Sequence, residues 1–266
     1  MLIDKCKKKG VPLTLYDAEK NHFDLVTTTK DAFISTILQR CISYFRALHL
    51  TAFLESIGIN VINSFQAAII CGNKALTSIT LTKAKIPTPK TKLAFTEKAA
   101  LNALDELGYP AILKPVVGSW GRLIAPLKDL DIARAFIENR EYMYPLYQIY
   151  YLQEMIKPDR DIRCFVIDDQ AVAAIYRYPA PDDWKTNVAR GGRAEKCPIT
   201  PELEELSVKA SEAVGGGVFG VDLLESNKGL LVHEINYSTE FKSTTETTGI
   251  DIPSLIIDYA LKVAKR

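Results

Sequence analysis

The chain has 266 residues, 47% hydrophobic and 24% charged, and its 33 basic and 32 acidic side chains leave a formal charge of +1. That length and balance suit a globular protein with a sizeable core in one large or two to three small domains, and they offer no basic field or run for nucleic acid. No signal peptide or membrane-spanning apolar stretch stands out. The five cysteines are scattered and never spaced as a metal-ligand pair, so the expectation is reduced thiols in a cytoplasmic protein.

The first predicted element is a helix over residues 1–10 closed by Gly10, followed by a strand over Val11–Tyr16. An α/β domain seldom opens on a helix, which leaves room for a first strand lost to an alternative start. A strand over Phe33–Gln39, a helix over Tyr44–Ser56, a strand over Ile59–Ile62 and a helix capped by Ser64 alternate as in a small parallel sheet. Arg40 and Arg46 flank the strand–helix turn in QRCISYFRAL. Ligands gather at the carboxyl ends of strands in such sheets, so this pair reads equally as ligand-facing or as solvated surface. A helix over Asn73–Lys83 carries Lys74 in its first turn, and Ile86-Pro87-Thr88-Pro89 then makes a stiff linker, the expected domain boundary.

Beyond the linker come a strand (Thr91–Phe95), a helix started by Thr96-Glu97, a strand (Ala111–Lys114), a strand from Leu123 and a helix (Leu130–Glu141). This is the order of a small α+β lobe able to fold over a nucleotide. Between its last two strands lies Gly118-Ser119-Trp120-Gly121-Arg122, whose free backbone N–H groups and arginine suit a phosphate lid, with Lys114 as a fixed positive charge. Alone, the pattern is equally that of an ordinary hairpin. Gln153 and Glu154, set into the apolar run Ile149–Ile156, suit the polar edge of an adenine or an edge strand. A hairpin about Asp168-Asp169-Gln170 follows, with Asp161 and Arg163 on one face of its first strand and Arg177 at the end of its second.

Residues Trp184–Glu195 hold too much glycine and arginine for a regular element, and Arg190 and Arg193 suit a phosphate or carboxylate contact. An amphipathic helix over Glu202–Val214 leads through three glycines to the hairpin VFGVDLLESNKGLLVHEIN. Glu234 and Asn236 share one face of it, and strand pairing can bring Asp222 beside them. Two carboxylates and an amide oxygen form a hard-oxygen set suited to Mg²⁺ shared with phosphates. His233 alternates away from that face and is expected to be a packing or surface residue.

Together these features resemble the ATP-grasp carboxylate–amine ligases over almost the whole chain. CGNK, KPVVGSWGRL, YYLQE, PDRDIRCFV, TNVARGGRAE, GVDLLES and NYSTEFKSTTETTGIDIP are similar, more narrowly, to the LysX family of lysine biosynthesis. The resemblance implies an α/β and α+β architecture: a pre-ATP-grasp parallel-sheet domain over 1–86, a central ATP-grasp lobe over 87–152 and a C-terminal lobe over 153–266. It implies ligation of 2-aminoadipate, or in relatives glutamate, to the C-terminal glutamate of the small acidic carrier LysW, using ATP and Mg²⁺, and a tendency to form homo-oligomers. Carried onto this sequence, it places Lys74, Lys114, residues 118–122 and Asn187 at the ATP phosphates. Gln153, Glu154 and the Met155-Ile156 backbone fall at the adenine, with Asp161 and Arg163 lining the nucleotide site. Arg177, Val188, Ala189 and the run Glu240, Phe241, Lys242, Ser243 and Thr244 would line the amino-acid pocket. Asp222, Glu234 and Asn236 would bind Mg²⁺, and Arg190 would stabilise the oxyanion and leaving phosphate. An acidic carrier tail would meet Arg177, Arg190, Arg193 and Lys242. A glutamate–LysW ligase (alone or with dual specificity), a RimK-like glutamate ligase, and a nucleotide-binding regulator with a decayed site are the competing expectations.

Overall fold

The structure, a computed structural model, describes residues 1–30, 34–157, 159–181 and 191–265. Helix α1 (Leu2–Lys9) ends as expected at Gly10, which takes the left-handed φ of 65° that glycine tolerates. The strand expected over Val11–Tyr16 is not formed: the segment is irregular, and Leu15 and Tyr16 are 70% and 56% exposed. Among the described residues no strand pairs with it, and a lone extended run has no ladder to join. Strands β1 (Thr36–Leu38) and β2 (Asn60–Ile62) pair in parallel, joined by α2 (Tyr44–Ser56). Phe33, expected in the first of these strands, lies outside the described residues.

Two short helices follow, α3 (Phe65–Cys71) and α4 (Lys74–Lys83), with Ser64 and Asn73 capping them through their side-chain oxygens. Between them Gly72 is dictated by packing, since a Cβ there would fall 1.9 Å from the Tyr44 ring. The Asn73 cap fixes where α4 begins and hence where Lys74 points.

The central lobe is a four-stranded antiparallel sheet in the order β3 (Thr91–Ala94), β6 (Tyr150–Glu154), β4 (Ala111–Lys114), β5 (Ala125–Leu127). Helices α5 (Glu97–Leu107) and α6 (Leu130–Glu141) cover one face, burying Leu104, Leu113, Leu127, Ile137 and Leu152 completely. Strand β5 begins at Ala125, not Leu123. Leu123 sits at φ 57°, a turn conformation that breaks the strand early.

The C-terminal lobe is a five-stranded antiparallel sheet ordered β11 (Gly229–Asn236), β10 (Val218–Ser226), β7 (Asp161–Ile167), β8 (Gln170–Tyr178), β9 (Arg193–Lys196). Strand β9 corrects the expectation that 184–195 is irregular throughout, because the edge of β8 gives Arg193–Lys196 a partner. Residues 184–190 of that stretch lie outside the described residues. Helix α7 (Pro201–Ala213) packs Leu203 and Ala210 onto Val166, Val221 and Val232 on one face. After α8 (Lys242–Thr248), α9 (Ile252–Ala264) returns to bury Ile252 and Ile256 against Ile62 and Phe165, with Leu2 of α1 packed alongside.

One side chain ties the first lobe to the base of the β10–β11 hairpin. Asn63, 4% exposed, donates to the Val218 and Tyr237 carbonyls, both at 2.6 Å, and accepts from the Val218 N–H at 2.7 Å. Gly217 leaves room for it, since a Cβ there would lie 2.1 Å from Asn63 Oδ1. No described helix is long and apolar enough to cross a membrane.

Candidate active site

A cleft of about 1060 Å³ runs where the three lobes meet and takes side chains from each. Its floor is built by strand register. Asp222 on β10 stands opposite Glu234 on β11 and Arg163 on β7, and Asp161 on β7 stands opposite Arg177 on β8. Period-two alternation puts Asp161 and Arg163 on the same face, so one row of charges crosses four strands.

These charges neutralise one another. Arg163 holds Asp222 with a two-pronged contact at 2.8 and 2.7 Å, and Arg177 reaches the same carboxylate at 3.2 Å. Arg177 also grips Asp161 through two hydrogen bonds of 2.7 Å, with both side chains almost fully buried. Burial alone would drive the Asp222 carboxyl upward; the two arginines outweigh it and hold the group far below the usual carboxylate range. Glu234 follows the same logic, with burial opposed by Lys74, whose Nζ lies 2.9 Å from its Oε1. Asn236 Nδ2 contacts Asp222 Oδ2 at 3.1 Å, which brings the third oxygen-bearing side chain to the pair.

Asp222, Glu234 and Asn236 therefore converge, and the donor set fits Mg²⁺: two carboxylates and an amide, leaving coordination positions for phosphate oxygens. Among the described residues no group of three or more His, Cys, Asp or Glu side chains is arranged for a metal.

Facing this floor is the glycine loop. Gly118, Trp120 and Gly121 adopt φ of 156°, 64° and 65°, and Trp120 stands 61% exposed at the cleft mouth. Lys74 links the two sides, donating to the Gly118 carbonyl at 3.1 Å as well as to Glu234. Lys114, at the end of β4, is 8% exposed and donates to Gln153 Oε1 at 2.6 Å. Burial lowers its pKa to about 8.

Several expected residues sit differently from the sequence reading. The Gln153 amide is occupied by Lys114, Thr91 and Tyr151, so its side chain orients the lysine. Glu154 accepts from the Lys90 N–H at 2.7 Å, while Met155 and Ile156 line the cleft beside it. Arg177 is committed to Asp161 and Asp222 and Arg193 to Glu195, so neither offers a free charge to a carrier tail. Of the run 240–244, Glu240, Ser243 and Thr244 line the cleft. Phe241 instead packs into the core with Ile62 and Ile252, and Lys242 points outward, its side chain 69% exposed. Arg122 and Ser119 line the cleft as expected; Asn187, Val188, Ala189 and Arg190 lie outside the described residues.

The ring nitrogens of His233 are buried, in keeping with a packing residue, but the residue departs from the expected alternation. The β10–β11 register shifts between Asp222 and Leu223, leaving His233 as the extra residue of a bulge. That breaks the alternation and turns its ring into the cleft beside Glu234. Both ring nitrogens are buried without a partner among the described residues, and burial, with the nearby Lys114 charge, lowers the pKa to about 4. Asn63, the hairpin clip, gave no signal in sequence at all.

With this geometry in place, comparison with known proteins is decisive. Residues 71–260 match the RimK-like ATP-grasp domain, and residues 1–70 match the LysX preATP-grasp domain. The chain belongs to the RimK-like ATP-grasp family. As an ATP-grasp protein it is an ATP-dependent carboxylate–amine ligase. The α-aminoadipate–LysW ligase LysX of Saccharolobus solfataricus is 37% identical, covering 100% of this chain and 97% of the relative. The glutamate–LysW ligase ArgX of Sulfurisphaera tokodaii is also 37% identical, over 83% of this chain and 79% of its own. The crystal structure of a RimK domain ATP-grasp protein from Sphaerobacter thermophilus superposes with a TM-score of 0.77 at 23% identity, covering 98% and 93% of the two chains, which establishes the common fold.

Proposed function

We propose that the protein joins the amino group of 2-aminoadipate to the C-terminal glutamate side-chain carboxylate of a small acidic LysW-type carrier, consuming ATP. The observation that carries this reading is the cleft itself, where Asp222 and Glu234 stand paired opposite Lys114 and the glycine loop. Similarity to an aminoadipate–LysW ligase along the whole chain supports the choice of substrates.

Mg²⁺ would be held by Asp222, Glu234 and Asn236 and would neutralise charge on the phosphoryl group in transfer. Lys114 and Lys74 bring positive charge to the phosphates, Lys74 after leaving Glu234. A carrier carboxylate oxygen attacks the terminal phosphorus of ATP and ADP leaves, giving an acyl phosphate. The amine then attacks the acyl carbon, loses a proton and expels phosphate, with no side-chain nucleophile involved. Residues 118–122 close over the intermediate and keep water away. By resemblance, Arg190 stabilises the oxyanion, Asn187 approaches the phosphates, and Val188 and Ala189 line the acid pocket.

Intact-mass spectrometry of the carrier after incubation with enzyme, Mg-ATP and each acid tests this. Gain of one aminoadipyl residue is the expected result. Gain of a glutamyl residue alone would move the protein to the second reading, a glutamate–LysW ligase, which the equal identity to ArgX favours. One methylene separates the two acids, worth about 1–3 kcal/mol in a pocket, so use of both is compatible with the same site. No mass gain with either acid would reject both.

A further inference from the structure

Most cations of the cleft already have partners. Lys74 pairs with Glu234, Arg163 with Asp222, and Arg177 with Asp161 and Asp222, while Lys114 is held by Gln153. Arg40 differs. It stands two residues past the end of β1, where an open α/β sheet collects ligands, and it lines the cleft near Thr239 and Glu240. Its Nη2 donates to the Thr239 carbonyl at 3.0 Å, and its guanidinium lies 5.3 Å from the centre of the Phe241 ring.

Neither contact neutralises the charge. A single bond to a carbonyl uses one of a guanidinium's five donors, and the aromatic ring orients the plane without supplying a counter-ion. Among the described residues no carboxylate forms an ion pair with it. Arg40 is exposed at the cleft, and Glu240, the acidic residue beside it, turns its own Oε1 to the Lys242 N–H. The result is an oriented fork beside Ser243 and Thr244 with most of its donors open. Arg46, the other arginine of this motif, pairs with Glu19 and does not share the role.

We propose that Arg40 binds a non-reacting carboxylate of a substrate. The inference rests on the ligase reading above, in which both organic substrates carry such groups: a dicarboxylic amino acid and an acidic carrier tail. A planar guanidinium matches a carboxylate through two parallel hydrogen bonds. Because Arg40 belongs to the first lobe, the lobe outside the ATP-grasp sheets would contribute directly to substrate choice.

Steady-state ADP release by R40Q and R40K tests the assignment. R40Q is expected to raise KM for one carboxylate substrate about tenfold or more, with KM for ATP within about twofold of wild type and the loss falling on KM more than on kcat. R40K should recover part of it. A rise confined to the free amino acid assigns Arg40 to that substrate; a rise confined to the carrier assigns it to the tail. The α-amide and side-chain amide of the acid used provide the second arm, since wild type should lose affinity for the amide of the carboxylate that Arg40 holds, and R40Q should not discriminate. Unchanged KM for both carboxylate substrates, or equal discrimination by R40Q and wild type, would overturn the proposal while leaving the ligase reading intact. Absence of wild-type turnover with either acid would reject the ligase reading and the proposal with it.

Discussion

Lys74 and Lys114 reach the same cleft by different routes and should respond differently to change. Lys74 pairs with Glu234, so a metal ion held by that carboxylate would compete with an ammonium for it. K74M should tighten nucleotide-free Mn²⁺ binding about tenfold, or ~1.4 kcal/mol, read by electron paramagnetic resonance, although it weakens nucleotide binding. Equal Mn²⁺ affinity in both proteins would contradict this exchange. Burial lowers Lys114 from its ordinary value of 10.5 to about 8. The unfolded chain therefore holds that proton more tightly, so the stability cost of burying the charge is relieved as pH rises from about 8 towards 10.5. Nucleotide binding runs the opposite way, since the phosphates require the charged form. Affinity should fall as pH rises past 8, with proton uptake on binding visible as a buffer-dependent calorimetric enthalpy that K114M lacks. K114A and E234A should each abolish carrier-dependent ADP release in a coupled assay. At this scale the convergence of Asp222, Glu234 and Asn236 was legible because Glu234 and Asn236 share a strand face by simple alternation. His233 was not, since a bulge depends on how two strands settle against each other, and neither strand announces it.

Among the elements, the segment between β4 and β5 is the one that the ligase reading requires to move. Trp120 and Leu123 adopt left-handed backbone conformations that cost a non-glycine residue about 1–2 kcal/mol each. Arg122 sits in this loop, so trypsin should cut after it in the free enzyme. Mg²⁺ with a non-hydrolysable ATP analogue should slow that cut several-fold, as followed by mass spectrometry of the fragments; an unchanged rate would argue against closure. Helices up to α7 were read because their caps are local: Ser64, Thr96 and Asp129 each accept from a first-turn N–H, whereas α8 and α9 were not foreseen. Strand β5 starts late because of the turn at Leu123, whereas the strand predicted over Val11–Tyr16 failed for want of pairing. Apolar content marks a segment that can extend, but only a neighbouring strand makes it one.

Across the whole molecule, the sequence reading missed the bonds that tie distant elements together. Asp161, Arg163 and Arg177 were each assigned to ligands, whereas the sheet spends them largely on one another and on Asp222. Only cross-strand register reveals such pairing. The Asn63 clip is equally non-local, with partners 155 and 174 residues away. N63A would strip those buried backbone groups of their partners, at a cost of about 2–4 kcal/mol, and should lower the melting temperature by several degrees in a calorimetric scan.

That clip also bears on how such an enzyme could change its diet. The lobe that carries Arg40 is stapled, through the amide of Asn63, to the foot of the hairpin bearing Asp222 and Glu234. Chimaeras that import residues 1–70 from a glutamate-using relative would keep their chemistry aligned only when position 63 remains asparagine and position 217 glycine, because the two fit as peg and socket. Transplants that respect this joint should show altered preference between the two acids, and those that break it should be inert with either.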